Sequence, residues 1–82
     1  MSVEYYKKQI IDLRARLARE KEAKKRDNEH YATLIKSASS SFKASYRKSK
    51  IDRAASHDRQ IESIKRQIDS AKANLARERA RK

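Results

Sequence analysis

The stretch Ile61-Glu62-Ser63-Ile64-Lys65-Arg66-Gln67-Ile68-Asp69-Ser70-Ala71-Lys72-Ala73-Asn74-Leu75 places apolar side chains at 61, 64, 68, 71 and 75. Steps that alternate three and four mark the seam of a coiled-coil helix. Read back toward the N-terminus, the same spacing takes in His57 and Ala54. A matching seam opens the chain, with Val3, Ile10 and Leu17 at heptad position a and Tyr6 and Leu13 at d. It crosses three polar residues, Glu20, Lys24 and Asp27, and recovers at Tyr31, Leu34 and Ala38. Both stretches are rich in Ala, Arg, Lys and Glu, which favour helix.

Composition removes the competing folds. The 82 residues include no Gly, Pro, Cys or Trp and a single Phe. Sheet proteins need tight turns, and turns lean on Gly and Pro. Without cysteine there is no disulfide framework, thiolate nucleophile or cysteine zinc site. Aliphatic residues cluster at most in pairs such as Ile10-Ile11 and Leu34-Ile35, too short to cross a bilayer. Met1-Ser2-Val3-Glu4 does not read as a secretion signal, so a cytoplasmic location is expected.

The one break in composition is the serine cluster around Ser39-Ser40-Ser41, because serine competes for backbone hydrogen bonds and favours caps. The expected layout is a single domain: helix 1 over 1–36, a Ser-rich basic turn over 37–46, helix 2 over 47–82. Folding back there pairs Ile10 with Leu75, Leu17 with Ile68, Tyr31 with Ala54 and Leu34 with Ile51, and sets Asp27 opposite His57 as an ion pair. The fold class is therefore all-α, a two-helix antiparallel coiled-coil hairpin. In that pairing Ile61 and Ile64 face Lys24 and Glu20 and lack apolar partners, which predicts assembly into a larger helical bundle. Ile10, Leu13, Leu17, Ile61, Ile64, Ile68 and Leu75 are the expected protein-interface residues.

No catalytic constellation is present. Ten serines stand without a base-and-orienter set, and nucleotide-binding loops cannot be built without glycine. His30 and His57 read as exposed or seam-edge histidines, so no metal, cofactor or enzymatic activity is expected. Tyr5 falls outside the seam and could contact a second helix pair, whereas Tyr6 belongs to it. The net charge of +12, from 23 Lys and Arg against 11 Asp and Glu, is the strongest chemical feature. Between Glu29 and Asp52 there is no acid, and Lys43, Arg47, Lys48 and Lys50 near the turn are candidate phosphate contacts, with Phe42 and Tyr46 interleaved. Elsewhere the cations read as scattered around the helices, and many have an acid three or four residues away. Nucleic-acid or anionic-membrane binding is the competing function class.

Several segments carry a resemblance: Tyr5-Tyr6-Lys7-Lys8-Gln9-Ile10, Arg14-Ala15-Arg16-Leu17-Ala18, the serine stretch followed by Arg47-Lys48-Ser49-Lys50, and Asp58-Arg59-Gln60-Ile61-Glu62-Ser63-Ile64-Lys65-Arg66-Gln67-Ile68. Together they resemble the coiled-coil region ahead of bacterial TIR domains, a family whose TIR domain consumes NAD in antiphage defence. The resemblance implies self-association and carries over no catalytic residue, since no TIR domain is present. The chain is also similar in length and topology to small helical-hairpin partners of type VII secretion toxins, but lacks their Trp-x-Gly turn. The expected function is a non-catalytic oligomerisation or adaptor module, associating with itself or docking on a helical partner.

Overall fold

A computed structural model describes residues 2–81, the side chain of Ser2 excepted; the expected helix ends at Met1 and Lys82 lie outside them. Two helices, α1 over Ser2–Ser37 and α2 over Ser40–Ala80, pack against each other along their length, and the described residues contain no strand. The hairpin is a rod of 65 × 14 × 11 Å. Its radius of gyration of 18.6 Å exceeds the roughly 12 Å of a compact chain this long. A rod two helices wide has one internal seam and leaves both of its flanks in water.

The turn is shorter than the sequence suggests. Only Ala38 and Ser39 interrupt the helices, so residues 40–46, expected in the turn, form the first turns of α2. Ser39 takes the extended conformation of an N-cap, φ −66° and ψ 160°. Its carbonyl accepts from the amides of Phe42 at 3.0 Å and Lys43 at 3.1 Å, which starts the helix. Its hydroxyl lies 3.1 Å from that of Ser41 and makes no capping bond to the backbone.

The tighter turn shifts the register. His57 bridges Glu20 and Asp27, so it lies level with residues 23–24 of α1. Facing positions then sum to about 81, roughly one helical turn from the expected 85. Ile10 accordingly falls level with Ala71, Leu13 with Ile68 and Leu17 with Ile64. These residues form the core: Ile10, Leu13, Ile64, Ile68 and Ala71 are buried together, with Leu17 and Leu75 packed against them. The expectation that Ile61 and Ile64 lack cover is overturned, since they are 8% and 4% exposed within one chain. The predicted Leu34–Ile51 pairing also fails, because Ile51 is 68% exposed.

Ile64→Ala should cost about 2–5 kcal/mol through lost burial and cavity formation, and largely unfold so slender a hairpin. Ile51→Lys, at an exposed site, should change stability by no more than about 0.5 kcal/mol. Far-ultraviolet circular dichroism on thermal melting separates the two, and equal losses would contradict this assignment of the core.

Candidate interaction surface

Midway along the rod the seam turns polar. His57 Nδ1 lies 2.6 Å from Glu20 Oε1, and its Nε2 lies 2.5 Å from Asp27 Oδ2. A carboxylate on each ring nitrogen favours the imidazolium, the one form of the ring that donates from both. The hydrogen bond to Asp27, reinforced by that to Glu20, raises the His57 pKa above its ordinary value of 6.5. The same bond lowers the Asp27 pKa below 3.8, aided by the positive charge of Arg53 with a nitrogen 3.8 Å away. Lys24 and Asp58 add a second cross-helix pair at 2.5 Å. Asp27 stands opposite His57 as expected; Glu20 was missed, although it occupies the d position one heptad earlier.

His30 takes no part in this layer; its ring meets Tyr31 edge-on at 5.5 Å between centroids. Among the described residues no group of three His, Cys, Asp or Glu side chains is arranged to hold a metal ion. No described helix is long and apolar enough to cross a membrane.

The expected interface residues therefore lie inside the hairpin, and the surface that remains is made by the flanks. On one flank two grooves run between the helices. The first is lined by Lys7, Ile10, Ile11, Arg14, Lys72 and Leu75. The second, sharing Arg14 and Lys72, adds Leu17, Lys65, Ile68 and Asp69. Lys7 and Arg14 are one heptad apart on α1, as Lys65 and Lys72 are on α2, so cations from both helices alternate along one line. Seven-residue spacing was legible in the sequence, but not which stripe of α2 would face which stripe of α1. The structure gathers onto one flank a set of cations that read as scattered.

Following the same stripe toward the turn leads to a third groove, lined by Asn28, Ala32, Ile35, Arg47, Lys50, Ile51 and Ala54. The candidate phosphate contacts divide here. Arg47 and Lys50 line this groove, while the exposed Lys48 and half-buried Lys43 stand outside it. Phe42 and Tyr46 stack at the tip with centroids 6.3 Å apart. Tyr5, outside the seam as expected, is exposed and packs edge-on against Tyr6 at 5.2 Å.

Comparison with protein-family models, curated proteins and solved structures returns no match for this chain.

The polar layer makes stability depend on pH. A raised histidine pKa contributes stability that is complete below about pH 6.5 and is lost as pH rises through the folded value. The lowered Asp27 acts in the opposite sense, complete above about pH 4 and lost as pH falls. Thermal unfolding should therefore occur at lower temperature at about pH 9 than at about pH 6. In His57→Gln the midpoint at the lower pH should drop and the slope above pH 6.5 should vanish; a slope that persists would remove His57 as its source.

Proposed function

We propose that this hairpin is a non-catalytic docking module, a rigid two-helix rod that presents one flank to a helical protein partner. One observation carries the reading: the apolar seam is closed within a single chain, while Ile11, Ile35 and Ile51 line grooves on one outer flank. Ile11 and Ile51 are 66% and 68% exposed, and further helix–helix contact is the direct way to cover them. Docking on another protein is favoured over self-association, because the seam isoleucines invoked for oligomerisation are already buried. The resemblance to coiled coils ahead of bacterial TIR domains supports an assembly role, in which case the module would serve a cytoplasmic defence complex.

Nucleic-acid binding is the second reading, favoured by the line of Lys7, Arg14, Lys65 and Lys72. It would leave the exposed isoleucines of the same flank in water and gain nothing from them.

Two measurements test docking. Light scattering behind a sizing column should give the mass of one 9.6 kDa chain at micromolar concentration, unchanged by salt. Selection of displayed peptides against the chain should enrich sequences with apolar residues in helical heptads. A salt-stable oligomer would return the function to self-association, and enrichment of no helical sequence would sink the docking reading.

A further inference from the structure

From the flank geometry we infer that the docking partner is an acidic amphipathic helix, seated in the groove between α1 and α2 along the line Lys7, Lys72, Arg14 and Lys65. This inference rests on the docking function proposed above and names the chemistry of the partner.

Two packed helices lie about 8–10 Å apart and leave a furrow on each side in which a third helix can rest. The furrow on the grooved flank has an apolar floor and basic walls. Ile10, Ile11 and Leu75 line one part of it and Leu17 and Ile68 the next, with Lys7, Arg14, Lys65 and Lys72 alongside. Asp69 is the one acid lining these two grooves. Lys7 has Glu4 at 3.7 Å, on its own helix. Among the described residues, Arg14, Lys65, Lys72, Arg47 and Lys50 have no carboxylate within 4.0 Å. In coiled coils the positions flanking the seam choose the partner by charge. Apart from the Lys24–Asp58 pair midway along this flank, both helices contribute cations to it, so Arg14, Lys65 and Lys72 meet no cross-helix acid and their complementary charge comes from outside.

The apolar floor decides among anionic partners. A nucleic-acid backbone would meet the cations without covering Ile11, Ile35 and Ile51. An acidic helix does both, with its apolar stripe on the floor and carboxylates on its shoulders. A second copy of this chain is a poor occupant, because like flanks would set cation against cation in a protein that already carries +12. Lys7 and Ile35 stand about 42 Å apart along α1, with the Lys24–Asp58 pair between the second and third grooves, so a partner helix of about four heptads would reach all three.

The test uses the whole chain and three labelled peptides of four heptads, identical in their leucine seam and carrying Glu, Gln or Lys at the flanking positions. Fluorescence anisotropy should find the Glu peptide bound at least about tenfold more tightly than the Gln peptide, and the Lys peptide unbound. Arg14→Glu combined with Lys72→Glu should weaken the Glu peptide by about tenfold or more and admit the Lys peptide. Lys7→Glu with Lys65→Glu should repeat that exchange. Arg19→Glu with Arg59→Glu alters the same net charge on exposed outward positions and should leave binding unchanged. Circular dichroism of each variant verifies that the hairpin is intact.

Equal binding of the Glu and Gln peptides would overturn the acidic partner while leaving helix docking in place. Equal losses from the flank and outward pairs would show attraction to net charge alone and overturn the furrow. Displacement of the Glu peptide by duplex DNA that binds more tightly through Arg14 and Lys72 would replace the helix with a nucleic acid. Binding of none of the peptides would remove docking and acidic partner together.

Discussion

The contact between His57 and its two carboxylates sets the register on which the rest of the hairpin depends. An a/d seam of Ile, Leu and Ala holds two helices together but discriminates weakly between alignments, because an apolar ridge fits an apolar groove at more than one offset. A part-buried polar group in the seam discriminates more strongly, since it loses its hydrogen bonds when the alignment changes. His57 hydrogen-bonds to Glu20 on one side and Asp27 on the other, and both acids sit at seam positions of α1. Sliding the helices by a turn would break at least one of these two hydrogen bonds. The register role of polar seam residues is well attested elsewhere, and it explains why a thin core tolerates three polar positions in succession.

Register in turn decides the surface. With His57 level with residues 23–24, Arg14 lies between Lys65 and Lys72 in one groove, and Lys72 lies near both Lys7 and Arg14. The same alignment covers Ile61 and Ile64 inside the chain and leaves Ile51 outside. Partner choice thus follows from an ion bridge some distance from the surface where the partner would sit. Protonation is part of this arrangement, because a neutral imidazole can donate only one of the two hydrogen bonds. The bridge holds the helices in place most firmly when the histidine is charged.

Charge distribution explains why the rod has sides that differ in character. The flank with the grooves joins exposed isoleucines to cations that have no cross-helix acid. The polar layer, in contrast, matches each charge it contains: Lys24 with Asp58, Arg53 and His57 with Asp27, His57 with Glu20. Opposite charges paired across the seam stabilise the hairpin itself, whereas like charges gathered along its edge favour an anionic neighbour. Attraction of this kind raises encounter rate and selects the partner more than it adds raw affinity, and the apolar floor would supply most of the lasting contact.

From the sequence alone came the two helices and the hairpin, because heptad spacing and the lone serine cluster are local signals; the Asp27–His57 contact was expected too, but from a register one turn away. The identity of the core residues was legible too: Ile10, Leu13, Ile64 and Ile68 lie in the seam as their spacing requires. Their partners were not. Seven-residue periodicity assigns each side chain to a face but is insensitive to sliding one helix along the other. The offset was fixed by a turn of two residues, far shorter than the serine cluster suggests, and by Glu20 joining the histidine bridge. Only the tertiary structure decided that Ile61 and Ile64 are covered within one chain and that Lys7, Arg14, Lys65 and Lys72 line two adjoining grooves. Periodicity along one helix carries no information about the height of the other, and height is what hydrogen bonding across the seam selects.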